Sequence, residues 1–366
     1  MTAPAPTSGD PSADPPARPL RQEQEEASEE VTEVAPGILR MQLPIHFTGL
    51  GHVNCYVLED GDGVTLVDPG LPGEASWQAL LARLDEASIP LRHVKGVIVT
   101  HSHPDHFGGA GMVAEESGAE VIASTEFRTW WDPTEEPGEP ELHGREGEPD
   151  AERIVSPFER PTPWGGTTGQ MPEEARTALR ERRAEVLRWF RVPRPTVRLA
   201  DADPFTAGER EWVAVHTPGH THDHLCLFSP ADGVLLAGDH VLPSITPHIS
   251  GLLEGDPLAS YLESLDKVCA LDDVEIALPA HGHPFRDLPG RVASIKEHHA
   301  GRLDELRAAS DGLGWASVEA LSHELFSERS WGPMAESETY AHVEHLRIVG
   351  EAEVREEAGR LLFLVR

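Results

Sequence analysis

The chain has 366 residues, of which 39% are hydrophobic, so it can form one large domain or two of ordinary size. Its 63 acidic residues outnumber its 30 basic ones, and a net charge of −33 argues against a general nucleic-acid binder because such a surface repels phosphate backbones. No apolar run reaches the roughly 20 residues of a membrane span, the N-terminus lacks the pattern of a secretory signal, and three widely spaced cysteines are typical of a reduced, cytoplasmic protein.

Residues 1–30 are rich in proline, alanine, serine and glutamate without hydrophobic periodicity, which predicts a disordered tail. The chain then alternates between strand and helix patterns. We predict strands at 37–43, 53–60, 63–70, 96–99 and 120–124 and helices at 74–88 and 109–118. This alternation predicts an α/β domain in which helices cover sheets.

An insertion at 126–195 interrupts the alternation. Its segment 132–163 is rich in proline and acids, whereas 172–190 has the apolar spacing of a helix. The insertion is either a lid that supplies apolar contacts to a substrate or a helix that packs on the core. Its tryptophans are Trp130, Trp131, Trp164 and Trp189.

The alternating pattern returns after the insertion and completes a predicted domain over 31–290. We predict strands at 211–217, 224–230, 233–239 and 274–280 and a helix at 257–269.

Residues 291–366 have a different character, with three predicted helices followed by a hairpin, the order of a winged helix. Acids outnumber bases here, so we interpret this part as a module that shapes the active site or contacts a second copy in a homodimer, rather than as a DNA-binding module. The predicted helices cover 295–310, 317–326 and 337–350, and His298, His299, His342 and His345 are expected at solvated helix positions.

The segment VTHSHPDHFGGAG at 99–111 places three histidines and an aspartate within six residues, directly after a predicted buried strand. Neutral imidazoles and a carboxylate are the usual ligands of Zn²⁺ or a similar metal. A catalytic zinc takes three protein ligands, so these four side chains exceed one site without completing two. They are His101, His103, Asp105 and His106.

The missing ligands are expected at other strand ends, where loops gather side chains into one cleft. His220, Asp239 and His281 each follow a predicted strand and qualify. The seven candidates divide into three histidines for one metal, Asp105 with two histidines for another, and a shared carboxylate.

The motif His101-x-His103-x-Asp105-His106, followed by TPGHT, AGD and PAHG, resembles the metallo-β-lactamase superfamily over about 31–290. TPGHTHDH, GDHVLP and the C-terminal helices resemble its lactamase-like branch with a winged-helix extension. The resemblance implies a four-layer αβ/βα sandwich with a dinuclear site at one edge. It also implies that His101, His103 and His220 bind the first metal, that Asp105, His106 and His281 bind the second, and that Asp239 bridges them.

Residue differences between the branches of this superfamily indicate which reaction to expect. His103 favours hydrolysis, because a glutamate at this place would resemble the redox di-iron branch. Asp239 disfavours β-lactam hydrolysis, since antibiotic-degrading members with a metal-binding cysteine have it at this position. His106 and Asp239 together resemble thioesterase-, lactonase- and nuclease-like members, and the resemblance makes Asp68 either a turn residue or a partner of the metal-binding loop.

We therefore expect a hydrolase with two divalent cations, in the first place Zn²⁺, although the same ligands accept Mn or Fe. Two such cations lower the pKa of a bridging water, and the hydroxide attacks a carbonyl or phosphoryl centre. Asp105 is expected to orient the hydroxide. His224 is expected to be the second catalytic residue, which donates to a substrate carbonyl, with a buried histidine bonded to backbone as the alternative.

The substrate class stays open at this point. A small thioester, ester or lactone is the first hypothesis, and the acidic surface and the aromatic insertion favour it. A metal-dependent endoribonuclease or phosphodiesterase is the alternative, and a β-lactamase is disfavoured. A degenerate, non-catalytic metal scaffold is disfavoured because all seven ligand positions are filled.

Overall fold

The computed structural model describes residues 20–47, 49–129, 161–167 and 188–366. Residues 1–19 of the predicted tail, and most of the predicted insertion with nearly all of helix 172–190, lie outside the described residues. Among the helices of the described ranges, none combines the length and hydropathy of a membrane-spanning segment.

The first sheet has seven strands in sequence order. Its first four strands are antiparallel neighbours and the last four are parallel neighbours, and the tight turn between the third and fourth strands pairs Asp60 with Gly63. The strands are β1 (Thr32–Ala35), β2 (Ile38–Phe47), β3 (Leu50–Asp60), β4 (Gly63–Val67), β5 (Val94–Ile98), β6 (Glu120–Ser124) and β7 (Val197–Leu199).

Three helices accompany this sheet: α1 (Glu74–Glu86), α2 (Pro104–Phe107) and α3 (Ala110–Ser117). In α1, Trp77, Leu80 and Leu84 recur at helical spacing and are buried against the sheet. This stripe is the apolar pattern that predicts the helix.

The second sheet has five strands in the order β12-β11-β10-β9-β8, and only β11 and β12 are parallel neighbours. Helix α4 (Pro257–Cys269) and the 26-residue helix α5 (Leu288–Leu313) cover its outer face. The strands are β8 (Pro204–Ala207), β9 (Arg210–His216), β10 (Leu225–Ser229), β11 (Val234–Gly238) and β12 (Ile276–Pro279).

The two sheets pack face to face, as strand β10 shows. All five of its residues are buried. Leu225 and Leu227 belong to the core between the sheets, whereas Cys226 and Phe228 belong to the core under the helices, because successive side chains of a strand point to opposite faces. The result is helix, sheet, sheet, helix, and the predicted four-layer sandwich is confirmed.

The C-terminal region has the predicted order of three helices and a hairpin. Helix α5 takes part in two cores, because Ile295 packs under the second sheet and Leu306 packs with the C-terminal elements. The predicted boundary at 290/291 therefore falls inside one continuous helix, and the winged-helix name stays a prediction. The further elements are β13 (Ala316–Ser317), α6 (Val318–Leu325), α7 (Pro333–Ile348), β14 (Ala352–Glu357) and β15 (Arg360–Val365).

The described tryptophans of the insertion take part in packing. Trp164 is buried with the C-terminal core and donates from Nε1 to Glu336 at 3.1 Å, and Trp189 packs against the core of the first sheet. These contacts agree with the packing interpretation of both residues.

The prediction of a disordered tail is wrong for residues 20–30. A single 3₁₀ turn at Gln22–Gln24 buries Glu23, whose Oε1 accepts hydrogen bonds from the backbone N–H groups of Ser244 (2.7 Å) and Ile245 (3.1 Å). The partners lie more than 200 positions away, so local composition does not reveal them.

The prediction of solvated positions is wrong for His299 and His342. Both are buried between α5 and α7, with ring centroids 5.2 Å apart. Nδ1 of His342 donates to the backbone oxygen of Glu338 (2.7 Å), so its Nε2 accepts from Nδ1 of His299 (3.0 Å). Three of the four ring nitrogens are thus hydrogen-bonded, while Nε2 of His299 is buried without a partner among the described residues.

Candidate metal centre

The predicted ligands come together because they follow strands that end at the same edge of the two sheets. Four of them lie in the segment after β5, and His220, Asp239 and His281 follow β9, β11 and β12. Their ligand atoms form two groups, each with all atoms within 4.8 Å. The first group is His101, His103, His220 and Asp239, and the second is Asp105, His106 and His281.

Asp239 lies between the two groups. Its Oδ2 is 3.5 Å from Nε2 of His220 in the first group and 3.5 Å from Nε2 of His106 in the second. Its Oδ1 is 3.3 Å from Nε2 of His281. One carboxylate thus reaches both groups, the placement that a bridging ligand needs.

The first group directs three imidazole nitrogens at one point. Nδ1 of His103 is 2.9 Å from Nε2 of His101 and 3.0 Å from Nε2 of His220. Burial, together with the neighbouring histidines, lowers the pKa of His101 and His103 well below the usual value, so both rings are neutral at pH 7.

The partners on the other side of the rings determine which nitrogen carries the proton. Nδ1 of His220 lies 2.8 Å from the carbonyl oxygen of His248, which only accepts, so this nitrogen is the N–H. Nδ1 of His101 lies 3.0 Å from Oγ1 of Thr100, whose own proton goes to Asp68, so it too is the N–H. Nε2 of each ring therefore presents a lone pair, and a cation among these lone pairs removes their repulsion.

The second group shows the same arrangement. Nδ1 of His106 donates to Oδ2 of Asp68 (2.9 Å), and Nδ1 of His281 donates to the carbonyl oxygen of His52 (2.6 Å). The opposite nitrogens, Nε2 of both rings, and Oδ1 of Asp239 are buried atoms with no hydrogen-bond partner in the part of the chain that the structure describes. Buried polar atoms are rarely left unpaired, so these acceptors fit a bound cation.

The charges of the second group favour positive charge at this place. Burial alone would lower the pKa of His106, but the carboxylates of Asp105, Asp239 and Asp68 raise it well above its usual value. Burial would raise the pKa of Asp239, yet His281 and His106 lower it well below its usual value. A metal ion and protons therefore compete for the same lone pairs.

Asp68 supports the metal-binding segment directly. Its carboxylate accepts from the backbone N–H of Thr100 (2.9 Å), from the Thr100 hydroxyl (2.7 Å) and from His106. The residue adopts a left-handed conformation with φ of 54°. Of the two alternatives for Asp68, the structure shows the partner of the loop.

The structure does not place His224 as a donor to substrate. The ring is fully buried, and its Nε2 accepts from the backbone N–H of Asp239 (3.0 Å). Nδ1 therefore donates to Oγ1 of Thr217 (2.8 Å), and both nitrogens are used. Of the two expectations for His224, the buried histidine bonded to backbone is the one observed, and it positions Asp239.

Two glycines permit the close packing around these side chains. Gly238 precedes Asp239 with φ of 52°, and a Cβ there would lie 2.5 Å from Nε2 of His224. A Cβ on Gly109 would lie 2.3 Å from the carbonyl oxygen of Pro69. Neither place can hold a side chain without moving the segment that carries the ligands.

Sequence reasoning did not find His52, His248 and Glu338. Each supports a ligand from a distance in sequence, since His281 donates to His52, and His220 donates to His248, whose ring in turn contacts Glu338. The only signal in the sequence is that His248 lies in the loop after the GDHVLP segment.

Comparison with known proteins agrees with the fold. The family model of the metallo-beta-lactamase superfamily matches residues 48–281. The probable metallo-hydrolase YqjP of Bacillus subtilis (strain 168) is 25% identical over 283 residues, which cover 75% of this chain and 80% of that protein. The crystal structure of a metallo-beta-lactamase family protein from Thermus thermophilus has a TM-score of 0.70 at 26% identity, covering 91% of this chain and 100% of that one.

A third relative carries an enzyme name. The atrochrysone carboxyl ACP thioesterase of Claviceps purpurea (strain 20.1) is 26% identical over 266 residues, which cover 72% of this chain and 62% of that protein. This chain therefore spans less than two thirds of that thioesterase. The family match covers more than half of the chain and includes every candidate ligand. The chain belongs to the metallo-beta-lactamase superfamily and is a hydrolase of that fold.

Proposed function

We propose that the chain is a hydrolase that cleaves a small-molecule thioester, ester or lactone. It would use two divalent cations, with Zn²⁺ as the first candidate. The observation that carries the proposal is the set of fixed lone pairs at the site. Nε2 of His101 and His220 faces Nδ1 of His103, while the second group holds buried acceptors that no other described residue pairs with. Three histidines in one group, and two histidines with a carboxylate in the other, are donor sets that suit zinc.

The residues of the two groups have separable roles in this proposal. His101, His103 and His220 would hold the first cation, Asp105, His106 and His281 the second, and Asp239 would contact both. When bound, such cations make water a nucleophile near neutral pH and polarise the bond under attack. Asp105 is a buried carboxylate that can also accept a proton of the attacking water and so orient it.

Two observations support an acyl substrate over a nucleic acid. A relative is named an acyl-carrier-protein thioesterase, and a thioester carbonyl suits attack by an activated water. The net charge of −33 repels the phosphate backbone of a nucleic acid. A phosphodiesterase is the alternative, and a β-lactamase is disfavoured by the carboxylate of Asp239 at the bridging place.

We also propose that the chain works in a reducing compartment such as the cytoplasm. All three cysteines are free thiols, and Cys55 and Cys226 are buried in the cores of the two sheets.

The test is a substrate panel run with the metal-loaded protein and with the same protein after chelation. The panel contains acyl-thioesters, aryl esters, lactones, a β-lactam and RNA. We expect chelator-sensitive turnover of at least one acyl substrate class and none of RNA. Chelator-sensitive activity on RNA alone would contradict the proposal and support the phosphodiesterase.

A further inference from the structure

Helix α7 of the C-terminal region reaches the first group through one loop. The loop between β11 and α4 starts with Asp239 and contains His248. The carbonyl oxygen of His248 accepts from Nδ1 of His220 (2.8 Å), and Nδ1 of the His248 ring lies 3.2 Å from Oε2 of Glu338 on α7. Two hydrogen bonds, one to the ring and one to the carbonyl oxygen of His248, thus connect Glu338 to His220, a candidate ligand.

The Glu338 side chain is largely withdrawn from solvent. It is only 16% exposed, and a carboxylate in such surroundings loses hydration. Burial alone would raise its pKa, but the hydrogen bond and charge of His248, with His342 and His299, lower it to about 2. The carboxylate is therefore ionised, and the His248 ring donates to it from Nδ1.

The attachment of the loop to α7 does not depend on Glu338. The backbone N–H of Gly251 donates to both the carbonyl oxygen (3.1 Å) and the hydroxyl (3.0 Å) of Ser337. A Cβ on Gly251 would lie 2.5 Å from that carbonyl oxygen, so loop and helix are already in close contact. Glu338 adds a contact to the ring of His248, the residue whose carbonyl oxygen faces His220.

We propose that Glu338 is a positioning residue for the first metal, and that it acts by holding His248 so that the His248 carbonyl fixes the tautomer and orientation of His220. Partners of metal-bound histidines raise metal affinity by about 10- to 100-fold, because they fix the ring and its protonation. The C-terminal region would then be part of the metal centre. This inference rests on the proposed two-metal site.

The experiment measures Zn²⁺ affinity by competition with a chromophoric chelator, using full-length apo-protein. The variants are Glu338→Ala, Glu338→Gln and His248→Ala, each also made with His281→Ala, which removes a ligand of the second group so that the first is measured alone. Glu319→Gln is the matched control, since that glutamate pairs with Arg360 in the same region and is 51% exposed.

We expect Glu338→Ala and His248→Ala to weaken the first metal by about 10-fold or more, with the second unchanged. Glu338→Gln is expected to lose less zinc affinity than Glu338→Ala, because its amide oxygen still accepts from His248. A variant that combines Glu338→Ala with His248→Ala is expected to lose no more zinc affinity than either single variant, since both changes break the same series of contacts. The Co²⁺ visible spectrum is expected to change in the alanine variants and not in the control.

Zinc affinities equal to wild type in Glu338→Ala and His248→Ala would overturn the inference. So would an equal loss at both metals, which indicates general destabilisation. If Glu338→Ala does not fold by circular dichroism, Glu338→Gln and His248→Ala decide by the same criterion. A folded wild-type protein that binds no zinc would overturn the proposed function, and a wild type with two zinc ions and unaffected variants would overturn this inference alone.

Discussion

The carboxylate of Asp68 accepts a hydrogen bond from Nδ1 of His106, 2.9 Å away, although the two residues are 38 positions apart in the chain. The same carboxylate holds the backbone and hydroxyl of Thr100, the residue before His101. One buried side chain therefore sets the tautomer of a ligand in the second group and the backbone next to a ligand of the first. Asp68 is the physical link between strand β4 and the metal-binding segment.

Replacement of Asp68 by asparagine is expected to weaken metal binding by about 10- to 100-fold. In the wild type, three donors from Thr100 and His106 share the two carboxylate oxygens of Asp68. The asparagine amide has only one acceptor oxygen, and its NH₂ group would face a donor proton of Thr100 or His106. The measurement is zinc affinity by chelator competition. Asp62→Asn is the control, because Asp62 is 82% exposed and pairs with Lys95 on the surface. Equal affinities for Asp68→Asn and wild type would contradict this role.

Replacement of His224 by alanine is expected to lower kcat by about 10- to 100-fold with little change in KM, because the ring positions Asp239 and does not contact the substrate. It also leaves the Asp239 N–H unpaired, at a cost of about 1–3 kcal/mol in the free energy of unfolding. Steady-state kinetics and urea unfolding measure the two effects. His222→Ala, at a side chain 73% exposed, is the control. A raised KM at constant kcat would instead indicate a substrate contact.

Gly238 and Gly118 offer a matched pair of glycine substitutions. Both have positive φ, 52° and 79°, but only at Gly238 would a Cβ meet another side chain, the ring of His224 at 2.5 Å. Gly118→Ala is expected to cost about 1–2 kcal/mol of unfolding free energy from backbone strain alone. Gly238→Ala is expected to cost about 1–3 kcal/mol more because the ring must move. Similar urea midpoints for both variants would show that the packing at His224 is looser than described.

The strands and helices that sequence patterns predict well are those with local periodicity. Strand β6 and helix α4 have the predicted bounds, and all seven candidate ligands meet at one edge. Strands β1, β7 and β8 have three or four residues each, too few for a period to show. Glu23 and Glu338 are hydrogen-bonded to partners far away in the chain, so nothing in their own neighbourhoods indicates their contacts.

The buried pair His299 and His342 predicts a loss of stability in acid. Burial lowers the pKa of His299 to about 3 and also lowers that of His342, so the unfolded chain takes up protons that the folded chain cannot. The contribution of His299 is fully present above its unfolded pKa near 6.5 and declines by about 1.4 kcal/mol per pH unit below it, towards pH 3.

The variant His299→Gln removes this titration but keeps a donor for Nε2 of His342. Urea unfolding of both proteins between pH 7 and pH 4.5 gives the difference in free energy, in which the titration of all other groups cancels. The wild type is expected to lose more stability than the variant as the pH falls. Parallel curves would contradict the assignment of a buried, neutral His299.

The most direct test of the two-metal site is the metal content of purified protein by mass spectrometry, for wild type, His103→Ala and Asp239→Ala. His103 belongs to the first group alone, whereas Asp239 reaches both. The site predicts two divalent ions per wild-type chain, loss of about one in His103→Ala, and loss of more than one in Asp239→Ala, with turnover lost in parallel. Full metal content and full turnover in both variants would contradict it.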